Sequence, residues 1–194
     1  IDIKIRGGNP RHTSHYYNLN WINRVIENSH SLQSSVVVDI GSGTSGAFAS
    51  ASCLGLDYIG IETSEQCLKI ATDLNRPTFS TLSKGLDNIN QKSVALLYSH
   101  QVVEHIVNPR YFLQSQLNSF SQKPEYLFFN VPTYEVYPSG RENLGLKGIL
   151  NMFNISHVTM LNHVAASNLL TALGYKTLGF QYYNGDLLCL GQLI

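Results

Sequence analysis

The sequence predicts an α/β fold, a mostly parallel seven-stranded sheet with crossover helices and a C-terminal antiparallel hairpin strand. Three observations carry this prediction. Val36-Val37-Val38 is a continuous β-branched run that leads directly into Gly41, Gly43 and Gly46, the pattern of a buried parallel strand followed by a tight turn. Short apolar runs then alternate with segments of helical periodicity, which builds a parallel sheet with right-handed crossovers. Near the C-terminus, Asn184-Gly185 separates two strand-like runs, the strongest short-range hairpin signal.

Each element follows in order. Residues 1–13 break at Gly7-Gly8-Asn9-Pro10 and suit an arm or loop. Over 14–28, Leu19, Ile22 and Ile26 recur at helical spacing, with Tyr16, Tyr17 and Trp21 read as packing residues. The first strand is 35–40 and the first crossover helix 45–56. The second strand, 58–62, ends on Glu62. Thr63 then reads as an N-cap with Gln66 three residues on, a capping box. Cys67, Ile70, Ala71 and Leu74 form the buried stripe of that helix, and Asn75-Arg76-Pro77 stops it. A third strand is expected over 78–82, with 83–91 a polar loop or short helix. Residues 94–98 form a fourth strand, and Asn108-Pro109 opens a helix that buries Leu113, Leu117 and Phe120. The fifth strand is 126–131, stopped by Pro132. Residues 133–156 carry Pro138, Gly140, Gly145 and Gly148 and read as a long functional loop. Leu161, Val164, Ala165, Leu169 and Ala172 define a last helix ending at Gly174, before the strands 175–182 and 187–192.

Composition bounds the function. With 194 residues, 43% of them hydrophobic and 13% charged, the chain is long and apolar enough for a sizeable core. Lys+Arg and Asp+Glu are both 13, a balance that argues against electrostatic capture of nucleic acid or an anionic membrane. Cys53, Cys67 and Cys189 are an odd number without a Cys-x-x-Cys pair; they are expected to be buried free thiols in a reducing, cytoplasmic compartment. No apolar run approaches the ~20 residues of a membrane span. The opening on Ile1 rather than Met suits a trimmed chain or a domain of a longer protein. Residues 1–34 are expected to form an arm and helix over the site, and 35–194 the main domain.

Gly41, Gly43 and Gly46 match Gly-x-Gly-x-x-Gly, with an acid, Glu62, about 20 residues on, and those features alone would serve a dinucleotide. Asp39 points elsewhere. An anionic side chain at the strand end is unfavourable beside a pyrophosphate and favourable beside an ammonium group.

At this point the residues resemble the class I S-adenosylmethionine-dependent methyltransferases. Asp39-Ile40-Gly41-Ser42-Gly43-Thr44-Ser45-Gly46 is similar to their first motif, and Ile59-Gly60-Ile61-Glu62-Thr63-Ser64 to their second strand. Ser99-His100-Gln101-Val102-Val103-Glu104-His105-Ile106 resembles the Glu-His-Ile/Leu block after strand four, common in the small-molecule branch that includes ubiquinone-biosynthesis-like enzymes. His157-Val158-Thr159, leading into a helix that ends Leu173-Gly174-Tyr175, resembles the same branch. The resemblance covers roughly 35–192 and implies a Rossmann-like three-layer sandwich with S-adenosylmethionine as cofactor. It implies that the turn Gly41, Ser42, Gly43 passes the methionine part, that Asp39 acts near the amino group, and that Glu62 holds the ribose hydroxyls. Thr63 and Ser64 would lie near the adenosine, and His100 and Gln101 would line the methionine end. The acid that the family usually carries after strand three for the adenine is replaced here by Leu82, Ser83 and Lys84, with Asp87 slightly late.

Other residues keep two readings. Glu104 and His105 are read as fixing the loop and the next helix start. His157, with an ordinary pKa of ~6.5, and His100 are the candidate catalytic residues; His157 equally suits a helix start. Tyr134, Glu135, Tyr137 and Arg141 lie in the long loop, where a substrate would enter. His12 and His15 lack a third ligand at suitable spacing, so no metal centre is expected. Asn154-Ile155-Ser156 is a glycosylation sequon by pattern only. The expected function is methyl transfer to an O, N or C nucleophile of a small-molecule acceptor, with no nucleic-acid or membrane partner. The alternatives are a non-catalytic binding module of the same fold and an NAD-dependent oxidoreductase domain.

Overall fold

The computed structural model describes residues 13–26, 32, 35–89, 93–133, 135 and 156–194. Its strands form a seven-stranded sheet in the order β3-β2-β1-β4-β5-β7-β6, the α/β class and strand number expected. The chain divides into two compact units, Ile1–Tyr98 and Ser99–Ile194.

In the first unit, α1 (Ser14–Ile26) buries Asn18, Leu19, Ile22 and Ile26, the stripe that the helical spacing predicted plus one polar residue. β1 (Val36–Ile40) is buried along its whole length, as the continuous valine run predicts for a central parallel strand. At 2% exposure or less for Val36, Val37 and Val38, each contributes roughly 1.5–3 kcal/mol of apolar transfer. β1 pairs in parallel with β2 (Asp57–Ile61), from Val36 opposite Asp57 to Ile40 opposite Ile61. The helix that follows β1, α2 (Ala47–Cys53), starts later than the expected Ser45. Gly43 and Ser45 both have positive φ, 55° and 54°, which no helical residue adopts. α3 (Glu65–Asp73) is capped by Ser64, whose Oγ accepts from Cys67 N, and not by Thr63. The expected capping box is therefore absent: Thr63 gives its N–H to Glu62 instead. β3 (Thr78–Phe79) is shorter than expected, and α4 (Leu82–Asp87), capped by Thr81, takes up the rest.

β4 (Val94–His100) runs from the first unit into the second. A short 3-10 helix (Val103–His105) follows it, and then α5 (Pro109–Leu117). Asn108 caps α5 through its side chain, with Pro109 at the first position, as predicted. β5 (Tyr126–Pro132) extends one residue past the expected stop, with Pro132 opposite Asp186. α6 (His163–Ala172) is capped by Asn162. β6 (Tyr175–Tyr183) and β7 (Asp186–Leu193) form the predicted hairpin. Asn184 and Gly185, at φ 51° and 90°, supply the two positive-φ positions of a type I′ turn. β7 is antiparallel to both β5 and β6. Of the cysteines, only Cys189 is buried; Cys67 is partly and Cys53 fully at the surface. The expected burial of all three fails at Cys53 because it ends a short helix whose buried positions are Ala47, Ser50 and Ala51.

Candidate functional site

The glycine turn sits at the carboxyl ends of β1 and β2. Gly41 N and Ser42 N donate to Ile61 O at 2.9 and 3.1 Å, so the turn folds back over the end of β2. Gly43 N donates to Glu62 Oε2 at 2.8 Å, while Thr63 N and Ser64 N donate to Oε1, both at 2.7 Å. Glu62 thus ties the turn to the start of α3. Its carboxylate keeps acceptor capacity beyond these bonds, since two oxygens offer about four lone-pair sites. Among the described residues nothing lies within 4 Å of where a Cβ on Gly43 would stand, so open space faces the backbone there.

Asp39 lies deeper than the sequence implied. It is 1% exposed, and its Oδ2 accepts from Tyr58 OH at 2.7 Å. Its Oδ1 is buried without a hydrogen-bond partner among the described residues. Burial pushes its carboxyl up to about 7; the Tyr58 bond opposes this and the Glu62 charge adds to it. Burial likewise raises the phenols of Tyr58 and Tyr98, which stay protonated and can only donate to an acid.

Several residues that carry no local sequence signal also shape this turn. Ser45, fully buried, bonds Thr78 Oγ1 at 2.7 Å and Ser42 Oγ at 3.2 Å. This is possible only because Gly60 leaves room: a Cβ there would stand 2.3 Å from Ser45 Oγ and 2.6 Å from Ser42 Oγ. Arg76, read only as part of a helix stop, donates from Nη1 to Thr44 O at 2.7 Å. His15 Nδ1 and Asn18 Nδ2 meet Tyr98 OH at 3.1 and 3.2 Å, and a Cβ on Gly46 would stand 3.3 Å from His15 Nε2. The helical stripe of α1 marked its apolar contacts, but nothing in its spacing marks His15 as a neighbour of the turn.

In the second unit, His100 ends β4 half-buried, and burial pushes its imidazole down to about 4. It is neutral at pH 7 and a weak proton acceptor there. Gln101 adopts φ 57°, strained for a non-glycine residue. Three bonds hold it: its N–H reaches Asn130 O and Oδ1, both at 3.2 Å, and its Nε2 donates to Asp186 Oδ2 at 2.8 Å. Asn130 Nδ2 donates to the same oxygen at 3.0 Å.

Glu104 and His105 are tied to residues 156–159 rather than to the start of α5: Glu104 O accepts from Val158 N and Thr159 N at 2.9 and 3.0 Å, and His105 Nδ1 lies 2.8 Å from Ser156 O. This brings His157 to His105, with ring centroids 5.1 Å apart. The Glu104 side chain, however, is 1% exposed, with neither oxygen hydrogen-bonded among the described residues, and burial pushes it up to about 7. Glu135, the described member of the long-loop candidates, accepts from His163 N at 2.8 Å, from Tyr182 OH at 2.6 Å and from the His163 ring. Tyr134, Tyr137, Arg141, His12 and the sequon's Asn154 lie outside the described residues.

No protein-family model matches the chain, and no curated protein matches its sequence. Solved structures do match in fold. The protein described as the putative methyltransferase in complex with the Haloferax volcanii Trm112 methyltransferase activator aligns with a TM-score of 0.64 at 14% identity, over 92% of this chain and 89% of that one. The plantazolicin methyltransferase BpumL, determined with S-adenosylhomocysteine (SAH), aligns with 0.64 at 15% identity, over 100% and 91%. Magnesium protoporphyrin IX methyltransferase from Synechocystis PCC 6803, also with bound SAH, aligns with 0.60 at 11% identity, over 93% and 84%. At these identities the likeness is one of fold.

Proposed function

We propose that the chain is an S-adenosylmethionine-dependent methyltransferase acting on a small-molecule acceptor. The observation that carries this reading is the glycine turn held by Glu62, with a buried acid, Asp39, behind it and open space beside Gly43. Its support is the family resemblance of the motifs together with the fold of the methyltransferases described above.

The residues fit the cofactor on chemical grounds. The orphaned Oδ1 of Asp39 is an acceptor suited to an amino group, directly or through one water. The Glu62 carboxylate has lone pairs left for ribose hydroxyls. Gly41, Ser42 and Gly43 present backbone without bulky side chains, and Thr63 and Ser64 would border the adenosine. The cofactor supplies a methyl group already activated on a sulfonium. The protein's part is then to hold the acceptor nucleophile in line with the methyl carbon at ~3–3.5 Å and to exclude water. A base is needed only for an acceptor that carries a proton. The neutral balance of 13 basic and 13 acidic residues favours a small acceptor over a nucleic acid.

Calorimetric titration with S-adenosylhomocysteine tests the reading, with Glu62→Ala and NAD alongside. Micromolar binding that Glu62→Ala weakens at least tenfold, in a variant that still unfolds cooperatively, is the expected result. Absence of binding, or preference for NAD, overturns it. The missing acid after β3 keeps a non-catalytic binding module as the second reading; cofactor binding without turnover across an acceptor screen would favour that.

A further inference from the structure

We propose that Glu104, His105 and His157 bind a first-row divalent cation. The site lies wholly in the second unit and does not rest on the methyl-transfer reading.

Each of these side chains offers one ligand atom, and the three atoms lie within 4.8 Å of one another. Ligands of a tetrahedral ion at ~2.0–2.2 Å stand ~3.4 Å apart, so rotamer adjustments of about an ångström close the set. The segments that carry the ligands are already joined. Val158 N and Thr159 N bond to Glu104 O, and Thr159 Oγ1 donates to Ile106 O at 2.6 Å.

The second observation is the unmet carboxylate. Glu104 is 1% exposed, and among the described residues neither of its oxygens has a hydrogen-bond partner. The ion-pairing group near it is His105, whose Nε2 stands 3.8 Å from Oε1. A buried carboxylate without a partner is costly and either keeps a proton or meets a cation. His105 is arranged for the second outcome. Its Nδ1 lies 2.8 Å from Ser156 O; a carbonyl can only accept, so Nδ1 carries the proton, and in the neutral ring this leaves the Nε2 lone pair on the side of Glu104. A backbone carbonyl that sets the tautomer in this way is the usual outer support of a metal-binding histidine.

The donor set selects the ion. Two imidazole nitrogens and one carboxylate oxygen suit Zn²⁺, Co²⁺ or Fe²⁺ better than Mg²⁺ or Ca²⁺, which take oxygen ligands. Three protein ligands also leave coordination positions for water or a substrate oxygen.

The test uses the untagged full chain, stripped with a chelator and titrated with Co²⁺ by visible absorption and with Zn²⁺ by calorimetry. Saturation at one equivalent with a ligand-field spectrum is expected. His157→Gln and Glu104→Gln should each weaken binding tenfold or more, while His163→Gln, outside the cluster, should leave it unchanged. Circular dichroism reports folding, and the partly exposed His157 provides a readout if the Glu104 variant misfolds. Lack of saturable binding, or binding unaffected by His157→Gln, overturns the proposal. The titration needs no cofactor, so its failure is separate from failure of S-adenosylhomocysteine to bind.

Discussion

Tyr58 donates its phenolic proton to Oδ2 of Asp39 at 2.7 Å, and both side chains are buried. β1 and β2 pair with Val37 opposite Tyr58 and Asp39 opposite Gly60, so the two polar side chains are separated by a short diagonal of the sheet. Asp39 is therefore engaged from inside the fold by its neighbouring strand.

This pair predicts a pH dependence of stability. The groups acting on Asp39 are Tyr58, the Glu62 charge and the nearby phenol of Tyr98. Asp39 is raised to about 7 when folded and has its ordinary value, ~3.9, when unfolded. Its contribution is fully present below about pH 4 and is lost as pH rises through 7, an effect of roughly 4 kcal/mol at most. In Asp39→Asn, urea midpoints at pH 5 and pH 8 should differ less than in the parent protein. An unchanged difference would show that Asp39 does not titrate in this range.

Gly60→Ala should destabilise the first unit by about 1–3 kcal/mol, the range for overpacking, because its Cβ would stand 2.3 Å from Ser45 Oγ. Ser45→Gly removes that atom and also relieves a positive φ. Thermal unfolding of the double variant should show partial rescue, a coupling expected of touching residues. Simple additivity would mean that the clash is absorbed elsewhere.

Asp186→Ala should cost about 1–3 kcal/mol by leaving the Gln101 and Asn130 amides without their shared acceptor. Gln101→Gly, which accepts φ 57° without strain, should lose less. Denaturant titration of both variants checks the order, and the reverse order would show that the left-handed turn does not depend on Asp186.

Glu135→Ala should lower stability by about 1–2 kcal/mol, since one carboxylate meets donors from the start of α6 and from β6. Glu135→Gln keeps an acceptor for part of this set and should fall between the two. Equal stability of all three proteins, read from urea unfolding, would make these bonds neutral.

Much of the architecture was legible in the residues. The valine run of β1, the stripe of α1, the Asn108-Pro109 start of α5 and the Asn184-Gly185 turn are local patterns, and each formed as read. Short-range details were less legible: the cap at Ser64 instead of Thr63 and the later start of α2 depend on where Glu62 and Ser45 find their partners.

By itself, the sequence determined the element order, the glycine turn after β1 and the acids placed at its strand ends, because periodicity and turn chemistry act over a few residues. Only the tertiary structure decided which groups those acids meet. Tyr58 on Asp39, the room that Gly60 leaves for Ser45, and the approach of His157 to Glu104 and His105 all join residues distant in sequence. Partners of that kind are selected by packing and by the need to satisfy buried polar groups, and no spacing along the chain records them.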